Sequence, residues 1–307
     1  MNSFPQFVCA GEALTDLIRS GPDQWQSLVG GSTWNVARSM AKLGLKTAFA
    51  GAISEDLFGD ALMQASSDAQ LDLRFIQRYK KSPLLAIVGE TSPPNYFFVG
   101  DDSADLYFDE KILPEGWQPH VQWAHFGGIS LAREPLTSHL IALAKSLKAA
   151  GVQISYDPNF RKLMDENYDD TLRTMAGLAD VIKVSDEDLR ALFRSDDEMA
   201  ALAELRAMNP EAAILFTRGA QGASLHVGEQ QWSARPPNVQ VIDTVGAGDA
   251  SIAGFLYSVF QEPERSWQAH LNFAVASGVA ACLAAGAQAP SVEQINDLIQ
   301  KMNSRSH

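Results

Sequence analysis

The sequence predicts an α/β fold in which one mostly parallel sheet is covered by helices on both faces. Two observations carry this. Short, continuously apolar runs alternate with stretches of helical spacing along most of the chain, the pattern of strands buried on both faces and of the helices that bury them. Apolar residues make up 46% and charged residues 20% of the 307 residues, a balance that fills a large core and argues against a disordered or fibrous chain. With no fixed-period repeat, low-complexity tract or long linker, the chain reads as one domain with a small appendage.

Phe7 to Ala10 is a predicted buried strand, and Gly11-Glu12-Ala13 starts a functional loop at its end, where open α/β sheets place ligand groups. Asn35 to Leu43 has helical spacing and closes on Gly44, and Thr47 to Ala52 reads as the next strand. Leu84 to Gly89 and Asn95 to Val99 read as a hairpin with Pro93 and Pro94 in its turn, inserted between α/β units as a candidate lid. Further strands are expected at Trp123 to Gly127, Gln153 to Tyr156, Val181 to Val184, Ala213 to Thr217 and Ser224 to Val227. Helices are expected at Pro135 to Ala150, Asp170 to Ala179, Asp186 to Phe193 and Met199 to Met208. The apolar stretch Leu271 to Ala285 is too short to span a bilayer and follows the polar Gln268, His270 and Asn272, so it reads as a buried core helix. The polar tail Lys301 to His307 is expected to fray.

A formal net charge of −13 argues against attraction to nucleic acid or an anionic membrane, both of which need a basic face. A nucleotide ligand would have to be met by backbone amides, a helix N-terminus and a few placed cations, with magnesium offsetting the repulsion. The two cysteines, Cys9 and Cys282, lie far apart in apolar surroundings and read as reduced core thiols. Met1 to Gly11 lacks a basic patch followed by a long apolar stretch, so a cytoplasmic location is expected.

The strongest chemical signal is Asp243-Thr244-Val245-Gly246-Ala247-Gly248-Asp249, followed by Ala250, Ile252, Ala253 and Phe255. This describes a loop opening onto a helix. Amides at Val245 to Gly248 would face an oxyanion or a phosphoryl group, with Gly246 and Gly248 permitting close approach, and Asp249 beside that anion would accept a hydroxyl proton. A bare Gly-x-Gly-Asp is as well explained by a turn capped with Asp, but the full string is far more specific.

The full string resembles the signature of the ribokinase family, also called PfkB carbohydrate kinases. The resemblance implies that Asp249 is the base activating a sugar hydroxyl, with Gly246, Ala247 and Gly248 forming the anion hole. Other segments fit the same family in the same order, from Gly11 to Ser291. Gly30-Gly31-Ser32-Thr33-Trp34-Asn35 places two glycines and an amide before a helix, and Asn35 offers both donor and acceptor to a polyol. Asp16, Asn159 and Arg161, the latter two from Asp157-Pro158-Asn159-Phe160-Arg161, complete the implied substrate set with Gly30 and Gly31. Ser185 and Asp188 fall where the family has Asn-x-x-Glu arranging magnesium through waters; Asp is a methylene shorter than Glu, and Glu187 is the alternative. Lys183, Ser185, Thr217, Arg218, Gly219 and Gly222 are the implied ATP contacts, with Val275 offering adenine an apolar surface. Asp243, Val245, Gly286 and Ser291 match a monovalent-cation site, filled by potassium, that tunes the anion hole.

The implied fold is a ribokinase-like three-layer α/β/α sandwich over residues 1–307 with a small β-sheet lid from about 12–30 and 83–104. The implied activity is transfer of the ATP γ-phosphoryl group to a primary hydroxyl of a small sugar. Gly11-Glu12-Ala13, Ser103-Ala104-Asp105-Leu106 and Asp157-Pro158-Asn159 are similar to bacterial fructokinases, making fructose the expected substrate. Asp101, where an Arg often stands, and Asp102 beside it change the lid's charge, so another sugar, 2-keto-3-deoxygluconate or a nucleoside is the alternative. In relatives the lid sometimes pairs two subunits, which makes a homodimer through it a further expectation. Two rivals belong to other classes. A dehydrogenase would need a glycine fingerprint directly after an early strand and an acid about twenty residues on, a spacing Gly30-Gly31 lacks. A non-catalytic sugar sensor would have no need of an intact Asp249.

Overall fold

The computed structural model describes residues 3–91 and 94–304. Its N-terminal part runs β1 (Phe7–Ala10), β2 (Leu14–Gly21), β3 (Gln24–Gly30), α1 (Ser32–Lys42), β4 (Thr47–Ser54), α2 (Leu57–Asp68), β5 (Ile76–Tyr79), β6 (Leu85–Thr91) and β7 (Pro94–Val99). The middle follows as β8 (Trp123–Gly127), α3 (Leu136–Ala149), β9 (Gln153–Asp157), α4 (Asp169–Leu178), β10 (Val181–Ser185), α5 (Asp186–Leu192), α6 (Glu198–Met208) and β11 (Ala213–Thr217). The chain ends with β12 (Ala223–Val227), β13 (Gln230–Ala234), α7 (Ala247–Gln261), α8 (Trp267–Ala281) and α9 (Val292–Asn303).

Nine strands form the main sheet in the order β13-β12-β11-β10-β9-β8-β1-β4-β5, parallel from β11 to β5 and antiparallel at β12 and β13. Successive side chains of a strand point to opposite faces, and here both faces are covered. In β1, Val8 and Ala10 join the core beneath α3 and α4, while Phe7 and Cys9 join the core beneath α1 and α7. That is why the sequence shows unbroken apolar runs. The chain leaves β1 toward β4 on one side and later adds β8 on the other, so the strand order reverses beside β1 and leaves a crevice at the carboxyl ends of the strands.

A second sheet has the order β3-β2-β6-β7. Strands β2 and β6 pair in parallel, and each carries an antiparallel partner outside it. The expected hairpin is therefore only half of this sheet. The other half is β2 and β3, within the 12–30 segment expected to join the lid, where Gln24, Trp25, Gln26 and Ser27 are exposed and give no apolar run of their own. Pro94 opens β7, whereas Pro93 lies outside the described residues. The tail expected to fray stays helical through Asn303, and 305–307 lie outside the described residues. Cys9 is buried and Cys282 half-buried; both are free thiols. No helix among the described residues is long and apolar enough to cross a membrane.

Candidate active site

Asp249 lies in the first turn of α7 and is 7% exposed. Its Oδ1 accepts a hydrogen bond from Ser32 Oγ at 2.7 Å and its Oδ2 one from Asn35 Nδ2 at 2.9 Å, so the start of α1 clamps the carboxylate from one side. Burial pushes its pKa above the usual carboxylate range, against the pull of those two donors and of the Lys183 and Arg161 cations. A raised pKa makes it a stronger base. Asn35 Oδ1 is buried without a partner among the described residues, an acceptor left for a substrate hydroxyl.

The loop before α7 turns at Gly246, whose φ of 77° is left-handed and where a Cβ would lie 2.7 Å from Ala287 Cβ. Two of the four amides expected to face an anion are already paired within the loop. Val245 N donates to Asp243 Oδ1 at 3.1 Å and Ala247 N to Thr244 O at 3.2 Å, which leaves the Gly246 and Gly248 amides unspent among the described residues. Lys183 Nζ faces this turn, 3.2 Å from where a Gly248 Cβ would stand.

Lys183 is buried in the middle of β10, its ammonium 3.0 Å from Asp157 Oδ2 while donating a hydrogen bond to Oδ1 at 3.3 Å. Burial pushes the Asp157 carboxyl up to about 7, with Lys183 opposing. Asp188 sits 3.9 Å from the same ammonium. Its Oδ2 accepts from Ser185 N and its Oδ1 from Phe160 N, both at 2.8 Å, and the Ser185 hydroxyl accepts from Asp188 N at 3.0 Å in a capping box. Burial raises the Asp188 carboxyl, but Lys183 and these hydrogen bonds outweigh it and hold it below the usual range. Both Asp188 oxygens thus help to shape the loop that precedes α5. Glu187 is exposed and lines the same cavity of about 320 Å³ with Asn159, Arg161, Lys183 and Ser185.

Asp16, on β2, is pushed up to about 6 by burial, with Arg161 pulling it back. A Cβ on Gly30 would stand 2.7 Å from Asp16 Oδ2, so that glycine keeps the space beside the carboxylate open. Arg161 Nη1 donates to Asn159 Oδ1 at 2.6 Å and acts electrostatically on Asp16, Glu12 and Asp249 alike. Asn35 and Arg161 therefore act on Asp249 itself, while Asp16, with Gly30 beside it, and Asn159 are linked to the same group through Arg161. Thr217 pairs with Ser185 across β10 and β11, which places Thr217, Arg218 and Gly219 along the same edge as the cavity.

Four of the expected site residues also carry structural constraints of their own. Gly31 matters less for approach to a ligand than for approach to the chain itself, since a Cβ there would stand 2.7 Å from Glu12 O. Gly222 answers a packing need, a Cβ there lying 2.1 Å from Ala234 O. Val275 is 7% exposed within the core under α7 and α8, leaving adenine only a narrow strip of it. Ser291 caps α9 in a capping box with Gln294, whereas Asp243 accepts from both Val245 N and Gly286 N (2.8 Å) and joins those two loops. The Ser291-x-x-Gln294 spacing was the overlooked signal.

Glu12, in the Gly11-Glu12-Ala13 loop, has a part that its sequence context does not announce. It is 2% exposed, and its carboxylate accepts from Ser32 N at 3.2 Å and Ser130 N at 3.3 Å, tying α1 to the segment after β8. Burial pushes it up to about 7, against hydrogen bonds from Ser130 and its own backbone and the charge of Arg161. The Ser103-Ala104-Asp105 run is likewise buried: Arg133 donates to Asp105 Oδ2 and to Gly100 O, and Ser103 Oγ donates to Gly100 O at 2.8 Å, anchoring the end of β7 to the main body. Asp102 stands outside, held by Lys81 at 2.8 Å.

Comparison with known proteins agrees with this geometry. A family described as pfkB family carbohydrate kinase matches residues 5–295. A fructokinase of Klebsiella pneumoniae is 33% identical over 256 residues, covering 80% of this chain and 81% of that protein, and one of Vibrio alginolyticus is 31% identical, covering 86% and 87%. The structure of a Xylella fastidiosa fructokinase with bound ATP superposes with a TM-score of 0.88 at 27% identity, covering 99% of this chain and all of that one. A Vibrio cholerae fructokinase with fructose, ADP and calcium bound gives 0.81 at 27%, over 96% and 99% of the two chains. Signature, fold and full-length similarity thus agree, and the chain belongs to the pfkB family of carbohydrate kinases, as a fructokinase-like, ATP-dependent phosphotransferase acting on a sugar hydroxyl.

Proposed function

We propose that the sugar is fructose and that Asp249 is the base. The observation that carries the reading is the buried Asp249 carboxylate, clamped by Ser32 and Asn35 at the N-terminus of a helix and faced by Lys183. The fructose, ADP and calcium in the Vibrio cholerae enzyme support it. Sugar hydroxyls lie against Asp16, Asn35 and Asn159, in the space that Gly30 leaves open, and the small sheet built from β2, β3, β6 and β7 acts as the lid. Asp249 takes the proton of a primary hydroxyl as that oxygen attacks the γ-phosphorus, and the Gly246 and Gly248 amides with Lys183 meet the developing negative charge.

ATP lies along the ends of β10 and β11, its phosphates toward Lys183, Ser185, Thr217, Arg218 and Gly219. The donor set suits magnesium through water: Glu187 is exposed on the cavity wall, and Ser185 lies beside it. A divalent ion there neutralises phosphate charge. Asp243, the Val245 carbonyl and Gly286 are drawn together by hydrogen bonds and suit potassium without Ser291. The free thiols fit a cytoplasmic location, and the exposed Trp25 and Phe97 fit a homodimer through the small sheet.

An ADP-release assay across fructose, ribose, 2-keto-3-deoxygluconate, aminosugars and nucleosides tests the substrate, with fructose expected to give the highest kcat/KM. Asp249→Ala should retain ATP affinity and lose about three orders of magnitude in kcat. Turnover by that variant at the wild-type rate would overturn the assignment of the base.

A further inference from the structure

We propose that Ser32 is a positioning residue for proton abstraction: its hydroxyl holds the Asp249 carboxylate in place for the sugar, and Glu12 in turn holds Ser32. The proposal rests on Asp249 being the base. Ser32 is the first residue of α1 and is gripped from both sides. Its backbone N–H donates to Glu12 Oε1 at 3.2 Å, while its hydroxyl donates to Asp249 Oδ1 at 2.7 Å.

Glu12 cannot easily drift. Its other oxygen takes Ser130 N, its carbonyl takes the Thr33 hydroxyl at 2.9 Å, and the backbone at Gly31 and Gly128 packs so close that a Cβ would stand 2.7 Å from Glu12 O and 2.2 Å from Oε1. A rigid chain therefore runs from β1 through Glu12 and Ser32 to the base. Asn35 is the second strut on Asp249, but its Oδ1 is the acceptor left for substrate, so it must serve two partners. Ser32 has one hydroxyl hydrogen and spends it on Asp249. Losing that donor would leave a buried carboxylate held by one hydrogen bond, free to turn about its own side-chain bonds.

The charged and titratable groups facing Asp249 are Lys183 from β10, Arg161 from the loop after β9, Asp157 from β9 and the Cys9 thiol from β1. Ser32 meets Asp249 directly, its hydroxyl donating to Oδ1. Changing Ser32 should therefore alter Asp249 directly. A hydrogen bond to a carboxylate favours its charged form, so removal raises the pKa of the base and moves the acid limb of the rate profile to higher pH.

The test compares Ser32→Ala, Ser32→Thr and Asp249→Asn in full pH profiles of kcat and kcat/KM with fructose and magnesium ATP. Ser32→Ala should lose about tenfold in kcat, keep both KM values within about twofold, and shift the acid limb upward by about half a pH unit or more. Ser32→Thr keeps the hydroxyl and should recover both readouts. If Ala at this site fails to fold, Ser32→Val against the isosteric Ser32→Thr carries the same comparison. An inactive Asp249→Asn with a Ser32→Ala variant of wild-type kcat and acid limb would overturn the role of Ser32 alone. So would a kcat loss that Thr does not restore and that leaves the acid limb unmoved. Turnover by Asp249→Asn would instead remove the reading beneath it.

Discussion

Replacing Gly31 by alanine separates two costs that the structure places on one residue. Gly31 has φ 114° and ψ 127°, a region that L side chains rarely adopt, and its added Cβ would stand 2.7 Å from Glu12 O and 3.0 Å from Ala13 Cα. Both obstacles are backbone, so neither can swing aside. The conformation alone costs about 1–2 kcal/mol, and forcing a methyl into that contact adds about 2–3 kcal/mol, for a total of about 4 kcal/mol. For a chain of this length that corresponds to a fall in Tm of about 6 °C. Gly44 provides the control. Its φ of 104° carries the same kind of strain, but nothing lies within 4 Å of its added Cβ, so Gly44→Ala should cost only about 1–2 kcal/mol, or about 2–3 °C. Calorimetric melting of both variants, with kcat/KM measured well below either transition, gives the comparison. Gly31→Ala should also lose about 100-fold in kcat/KM, because Ser32 and Asn35 follow it in the chain and move off Asp249, whereas Gly44→Ala should keep wild-type activity. Equal melting temperatures for the two variants would refute the close approach of α1 to the Glu12 carbonyl.

Two further expectations concern charge. Asp16 is pushed up to about 6, so it loses its charge as pH falls through that value, and kcat/KM for the sugar should drop on the acid side near pH 6; Asp16→Asn should raise the sugar KM about tenfold or more and remove that component of the profile. Arg133→Ala should destabilise the protein by about 3–5 kcal/mol in denaturant titration, because it leaves the buried Asp105 carboxylate without its ion pair; a loss below about 1 kcal/mol would mean that the pair contributes no more than a surface contact.

Much of the fold is legible because parallel strands buried on both faces must be apolar at every position. Phe7–Ala10 and Trp123–Gly127 have the bounds the sequence predicts, and Asp157 and Ser185 extend their strands by a single residue. The small sheet is hidden because one-sided strands carry Gln24, Gln26 and Arg19 among their residues, and β5 is too short and polar, with Gln77 and Arg78, to stand out. The α2 helix gives little apolar periodicity although Asp56 caps it, since only Gly59, Leu62 and Ser66 are buried on its face. Motif chemistry locates Asp249, Asn35 and Asp16, whose spacing is local. The roles of Glu12 and Arg133 depend on partners such as Ser130 and Asp105, brought to them only by the folded sheet, and no local spacing encodes them.

The small sheet is joined to the main body by four strands of chain: 11–13, 31, 80–84 and 100–103. Three are several residues long, but between β3 and α1 there is Gly31 alone. Any displacement of the small sheet relative to α1 therefore falls on one pair of backbone torsions, and the next residue carries the hydroxyl that meets Asp249. The length of that junction makes the placement of the sheet and the placement of the Asp249 carboxylate one geometric problem, solved at a single glycine.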